Sequence, residues 1–121
     1  MLSDEFARHF AKEWVAAWNA HDLPRILAHY RDDFVMSSPI IAQIAGEPSG
    51  VLTGKAAVGA YWQAALARFP DLHFSLHELC RGADSLVIIY NRNGGGTAAE
   101  VFYFDADGLV SRAAAHYLVA G

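Results

Sequence analysis

The sequence predicts one α+β domain in which helices come first and a meandering antiparallel sheet follows. Two patterns support this prediction. Apolar residues recur at helical spacing near the start of the chain, whereas short alternating segments separated by turn residues fill its second half. Since helices and strands do not alternate throughout, a parallel α/β fold is disfavoured. The length of 121 residues fits a single domain over positions 1–121.

The helices are predicted from their apolar spacing and their end signals. Aromatic residues recur every four positions from Phe6 to Trp18, which predicts a first helix ending near Ala20. Ser3 is suited to cap its beginning, and Asp22 can cap a short second helix that has a proline in its first turn. A third helix is expected over positions 54–68.

The strands are predicted from alternation and from the turns between them. Residues 34–38 read as a strand ended by Pro39, whereas residues 40–53 mix isoleucines with glycine and proline and predict an irregular segment or a loose hairpin. Four further strands are expected at positions 72–80, 85–92, 98–105 and 109–119. Glycine-containing turns separate these four strands.

Composition limits the classes of function. The hydrophobic fraction of 54% and the charged fraction of 18% indicate a large core, a ligand cavity or a subunit interface. A net charge of −4 without any basic run argues against nucleic-acid binding. The single Cys80 cannot form an internal disulfide, and neither a signal peptide nor a membrane span is visible. We therefore expect a cytoplasmic protein without nucleic-acid or membrane partners.

Several short strings occur in an order and spacing that resemble one superfamily over almost the whole chain. These strings are WNAHDL at 18–23, YRDDF at 30–34, SP at 38–39, GKAAV at 54–58 and FYFDADGLV at 102–110. Together they are similar to the NTF2-like superfamily and its SnoaL-like domains. The resemblance implies a cone in which N-terminal helices pack on a curved, mainly antiparallel sheet and enclose a pocket. It also implies frequent homodimerisation through the sheet face.

The superfamily includes ketosteroid isomerases, polyketide cyclases, dehydratases and epoxide hydrolases, as well as transport factors without catalysis, so the fold alone does not define the function. The position of the isomerases' proton-abstracting Asp corresponds to Ser38, which cannot act as a base at neutral pH. Their oxyanion-hole Tyr corresponds to Trp14, their second donor to Glu100, and a supporting pocket Tyr to Tyr30. Because two of the three main roles are altered, the resemblance disfavours ketosteroid isomerase chemistry.

Glu100 is the leading candidate for a catalytic residue. Glu100, Phe102 and Phe104 occupy every second position of one predicted strand, so the carboxyl group of Glu100 should face an apolar interior. Burial raises the pKa of a carboxyl group, which suits a general acid or a hydrogen-bond donor. The alternative is a structural ion pair with an arginine such as Arg92 or Arg112.

His116 is the second catalytic candidate. If the last strand is uninterrupted and Val110 faces inward, His116 faces inward too and can exchange protons with Glu100 near neutral pH. The alternative is a histidine bonded to a backbone carbonyl or located on the dimer face.

The ligand-binding candidates are residues expected on the pocket walls. Trp14, Tyr30 and Trp62 combine an apolar ring with a polar tip, Ser38 could orient a ligand, and Phe102 shares the face of Glu100. Core packing is the competing interpretation for Trp14.

No metal or other cofactor is predicted. His73 and His77 share a strand face but lie ~13 Å apart at ~3.3 Å per residue, too far to bind one ion together. The segment before Gly54 and Lys55 departs from a phosphate-binding loop at required positions.

Two hypotheses remain. The first is a cofactor-free enzyme that transfers protons on a small apolar molecule, as an isomerase, cyclase or dehydratase does. The second is a non-catalytic binding or accessory dimerisation module.

Overall fold

The structure is a computed structural model that describes residues 1–120. Its elements, in chain order, are α1 (Asp4–Asn19), α2 (Leu23–Leu27), β1 (Tyr30–Ser37), α3 (Pro39–Ile44), β2 (Val51–Thr53), α4 (Lys55–Arg68), β3 (Phe74–Arg81), β4 (Ser85–Arg92), β5 (Gly96–Phe104) and β6 (Val110–Tyr117).

One six-stranded sheet runs in the order β2-β1-β6-β5-β4-β3. Within residues 1–120, β1 and β6 form the single parallel pair, and all other neighbours are antiparallel. The helices pack on one face of this curved, unclosed sheet, so the predicted α+β fold with helices on a mainly antiparallel sheet is confirmed. None of the helices described here is long and apolar enough to cross a membrane.

Helix α1 forms for the reasons that its sequence indicates. The Ser3 hydroxyl accepts a hydrogen bond from the Phe6 amide at 3.0 Å, and Asp4 and Glu5 occupy the first turn, where negative charge complements the helix dipole. Its buried face includes Phe10 and Trp14, whose rings both contact Phe102 on β5. The helix is thereby held across the middle of the sheet.

Residues 39–53 contain more regular structure than the sequence predicts. Pro39 ends the preceding strand as expected, but Ser38 then caps α3 by accepting a hydrogen bond from the Ile40 amide at 3.1 Å. The chain returns through Gly50, where a Cβ would lie 3.0 Å from the Ser38 carbonyl oxygen, and forms β2. A six-residue helix is too short to display a clear apolar period, so the prediction of an irregular segment or a loose hairpin is incomplete.

A β-bulge changes the pattern of β6. Val110 pairs with Phe104 and Arg112 pairs with Tyr103, so Ser111 is an extra residue on this strand. Val110 is buried, but after the bulge the inward positions are Ala113 and Ala115. Every side chain after Ser111 therefore faces the opposite side from the one that simple alternation predicts.

Candidate functional site

A cavity of about 570 Å³ lies between helices α1, α3 and α4 and the inner face of the sheet. Its floor consists of Trp14, Tyr90 and Glu100, which are all buried. Its mouth is formed by exposed residues at the end of α4 and in the β4–β5 turn, including Phe69 and Gly94. The cavity is thus buried at one end and reaches solvent at the other.

Glu100 is the acidic residue of the cavity floor. It lies in the middle of β5, opposite Ile88 on β4 and Ala115 on β6, and is 4% exposed. The Tyr90 hydroxyl donates a hydrogen bond to Glu100 Oε1 at 3.1 Å. In the described part of the chain, no ion pair includes Glu100. The structure therefore contradicts the alternative of a structural ion pair with Arg92 or Arg112.

The environment of Glu100 favours its neutral form. Burial raises its pKa from the ordinary 4.5 to about 7, and the hydrogen bond from Tyr90 partly opposes this shift. Burial, together with the Glu100 carboxylate, holds the pKa of Tyr90 well above its usual range. Glu100 can therefore gain or lose a proton near neutral pH, whereas Tyr90 stays a neutral donor.

Further hydroxyl groups lie near the floor. The Ser38 and Tyr117 hydroxyl oxygens are 3.3 Å apart, and Tyr117 lines the cavity. Burial, followed by the Glu100 charge, raises the pKa of Tyr117, and burial also raises that of Tyr61. These groups are neutral donors and acceptors near the cavity floor.

The predicted binding residues fall into two groups. Trp14 and Trp62 line the cavity. Tyr30, Ser38 and Phe102 are buried outside the cavity wall: Tyr30 accepts a hydrogen bond from Trp14 Nε1 at 3.0 Å, Ser38 lies against Tyr117, and Phe102 packs on α1. The prediction that these three line the pocket is wrong, because the wall is formed instead by their neighbours: Trp14 contacts Tyr30 and Phe102, and Tyr117 lies beside Ser38.

The prediction that His116 faces the interior is also wrong. Its side chain is exposed, and its Nδ1 lies 3.2 Å from the Ala114 carbonyl oxygen. The bulge at Ser111 reverses the alternation of β6, so Tyr117 rather than His116 reaches the cavity. Glu100, by contrast, lies on the predicted face.

Sequence reasoning missed three polar residues that line the cavity from strands β4 and β6. Tyr90 and Arg92 share the inner face of β4 with the buried Ile88, and this alternation was available as a signal. Tyr117 could not be found in the same way, because its orientation depends on the bulge.

Within residues 1–120, no three His, Cys, Asp or Glu side chains gather in a metal-binding group. His73 instead lies 3.3 Å from the Asn19 side chain.

Comparisons with known proteins agree with this architecture. The family model described as a SnoaL-like domain matches residues 11–119. A SnoaL-like protein of unknown function from Burkholderia thailandensis is 54% identical, with a TM-score of 0.92 over 97% of this chain and 98% of that chain. No curated protein matches the sequence.

Two more distant structures share the fold. A protein of unknown function with a cystatin-like fold from Methylobium petroleophilum is 21% identical, with a TM-score of 0.76 over 99% of this chain and 80% of that chain. A computationally designed 17-OHP binder is 20% identical, with a TM-score of 0.71 over 94% of this chain and 92% of that one.

Proposed function

The chain belongs to the SnoaL-like family, and we propose that it binds a small, mainly apolar molecule whose oxygen atom hydrogen-bonds to Glu100. The cavity is within the size range of small-molecule sites and combines aromatic walls with a few polar groups, as such sites do. A designed protein with this fold is a 17-OHP binder, so the fold can serve ligand binding.

The observation that supports the proposal is the remaining hydrogen-bonding capacity of the Glu100 carboxyl group. Oε1 accepts a hydrogen bond from Tyr90, and Oε2 has no protein partner within residues 1–120 although Glu100 lines the cavity. Because Oε2 is accessible from the cavity, it can form a hydrogen bond to a ligand oxygen there.

The same group supports acid–base chemistry. With a pKa of about 7, Glu100 can donate a proton to a carbonyl oxygen or, when ionised, remove one from an adjacent carbon. Tyr90 would hold the carboxyl group in place. We propose isomerase-, cyclase- or dehydratase-type proton transfer, which needs no cofactor.

Binding is tested with α-tetralone, an apolar ketone that can only accept a hydrogen bond, and tetralin, which lacks the oxygen. Quenching of the tryptophan fluorescence would report occupancy, since Trp14 and Trp62 line the cavity. We expect α-tetralone to bind about tenfold more weakly well above neutral pH than below it, because ionised Glu100 cannot donate.

Two variants sharpen this test. Glu100→Gln keeps a donor and should bind α-tetralone independently of pH, whereas Glu100→Leu should bind the ketone and tetralin alike. Unchanged binding of α-tetralone by Glu100→Leu, with a wild-type melting temperature, would contradict the proposal.

Catalysis is tested separately by following deuterium exchange at the carbon next to the α-tetralone carbonyl by NMR. Wild-type protein should accelerate the exchange, and Glu100→Gln should not. Binding without accelerated exchange would favour the alternative, a non-catalytic binding module.

We also propose a homodimer through the outer face of the sheet. Val87, Val101 and Ala114 are adjacent across three strands and partly exposed on this face, and Tyr103 beside them is 41% exposed. An uncovered apolar sheet face is typical of an interface. Sedimentation velocity at micromolar concentration should show a dimer that Val101→Lys dissociates; a wild-type monomer would contradict this proposal.

A further inference from the structure

Arg92 lies on the cavity mouth, on the same strand face as the cavity floor. Ile88, Tyr90 and Arg92 alternate along the inner face of β4, and both Tyr90 and Arg92 line the cavity. Arg92 pairs with Gly96 on β5, whereas Glu100 pairs with Ile88. The backbone positions of Arg92 and Glu100 are therefore four residues apart along the strand direction, which corresponds to ~13 Å.

The Arg92 side chain is held in place by three contacts. Its Nη2 donates a hydrogen bond to the Gly95 carbonyl oxygen, and its Cζ lies 4.4 Å from the centre of the Tyr117 ring. Gly95 also packs directly on the side chain, since a Cβ there would lie 3.3 Å from Arg92 Cζ. The guanidinium is thus positioned at the mouth rather than free in solvent.

No carboxylate of the described chain neutralises this guanidinium. None of the ion pairs in residues 1–120 includes Arg92, although Arg25, Arg31 and Arg81 each have an acidic partner. Its Nε is buried without a hydrogen-bond partner, and Nη1 makes no protein hydrogen bond in the same range. A partly buried, unpaired cation is costly.

The other charged groups of the mouth do not remove this imbalance. Arg68 and Asp71 also line it, and neither takes part in an ion pair within the described residues. The protein as a whole carries a net charge of −4, which repels anions at long range. An anion would therefore bind here only through local contacts.

We propose that the molecule bound in this cavity is an elongated, apolar carboxylate whose charged group binds Arg92 while its other end reaches Glu100. A guanidinium is matched in charge and planarity to a carboxylate. The inference rests on the proposed binding function and adds the chemical class of the ligand and its direction in the cavity. The oxygen at the floor and the carboxylate at the mouth lie at opposite ends of the molecule.

The test compares the binding of two compounds. The first is α-tetralone with a carboxylate para to the ring carbon that carries the carbonyl group, and the second is the methyl ester of that acid. The ester keeps the shape and the ketone but removes the charge. By calorimetry slightly below neutral pH, wild-type protein should bind the acid about tenfold more tightly than the ester, in the range of one charge-assisted hydrogen bond.

Arg92→Gln should abolish this preference by weakening the binding of the acid much more than the binding of the ester. Arg112→Gln is the matched control, because it removes the same charge from the exposed residue on β6 that lies near Tyr103. That control should keep the preference for the acid. Circular dichroism would verify that each variant is folded.

The outcomes separate the two proposals. Equal binding of acid and ester by wild-type protein, or an unchanged preference in Arg92→Gln, would overturn the carboxylate inference while leaving the Glu100 proposal intact. If Glu100→Leu leaves both affinities unchanged but Arg92→Gln removes the preference, the carboxylate inference holds and the proposed role of Glu100 fails. Absence of binding by either compound up to millimolar concentration would contradict both.

Discussion

Two glutamates of this protein show opposite ways of accommodating a carboxyl group. Glu13 lies on α1 at the helix surface, where Arg25 donates two hydrogen bonds to it at 2.5 and 2.9 Å and His29 Nε2 lies 3.3 Å away. These partners, Arg25 first, lower the pKa of Glu13 to about 2. Glu100 has one neutral donor and no cation, and burial raises its pKa to about 7.

The comparison separates a structural carboxylate from a candidate functional one. The interactions of Glu13 are complete within the chain, and they join α1 to the segment that contains α2. Glu100 lines a cavity and keeps one oxygen without a protein partner among the described residues. A carboxyl group that can still bond to a ligand, in a space large enough for one, is the stronger functional candidate.

The largest expected effect is the pH dependence of stability that Glu100 causes. Because the pKa of Glu100 is higher in the folded state, its protonation stabilises the folded state at low pH. This contribution to the free energy of unfolding is lost as the pH rises from 4.5 through about 7. The free energy of unfolding of the wild type, measured relative to Glu100→Gln by urea denaturation, should fall by roughly 3 kcal/mol across this interval. Parallel curves for the wild type and Glu100→Gln would show that the pKa of Glu100 is the same in the folded and unfolded states. The control is Glu78→Gln, which changes an exposed glutamate on β3.

Glu13→Gln should show the opposite sign and a smaller effect. The lowered pKa of Glu13 stabilises the fold above pH 4.5, and this contribution is lost as the pH falls through about 2. Because Glu13 and Arg25 are partly exposed, solvent screening limits the loss in Glu13→Gln to about 1 kcal/mol at neutral pH. A deficit that persists unchanged at the lowest pH would mean that packing, not charge, accounts for it.

Tyr90→Phe should sharpen the difference between the two glutamates. The hydrogen bond from Tyr90 partly opposes the rise in the pKa of Glu100 that burial causes. Removal of this hydrogen bond should therefore raise that pKa further. The midpoint of the pH-dependent binding of α-tetralone would measure the change. A midpoint that stays in place or moves down would show that Tyr90 does not stabilise the ionised form.

The smallest expected effect concerns His29. Burial lowers its pKa, while Glu13 partly opposes that shift. In Glu13→Gln the pKa of His29 should therefore fall further, as followed by NMR titration of the imidazole protons. An increase would mean that Glu13 does not stabilise the imidazolium.

Local pattern was sufficient for most of the fold. The spacing of aromatic residues on α1 and the cap at Ser3 predict that helix almost to its observed ends. The strands β3 to β6 are found within a few residues of their predicted positions, and the resemblance to SnoaL-like domains is confirmed by the match over residues 11–119. The short elements α3 and β2 were missed, because neither is long enough to establish a period.

The candidate site was only partly predictable. Glu100 could be placed on the inner face because β5 alternates without interruption from Ala98 to Phe104. His116 could not be placed correctly, because a single extra residue at Ser111 turns the rest of β6 over. Nothing in the local sequence marks that bulge.

The sequence by itself determined the order of the helices and strands and the inward direction of Glu100, because these depend on periodicities of the chain. Only the tertiary structure decided that Tyr117 replaces His116 at the cavity, and that neither Glu100 nor Arg92 has an ionic partner among residues 1–120. The physical reason is that strand register and charge pairing depend on contacts between distant segments. Such contacts exist only after the sheet and helices have packed together.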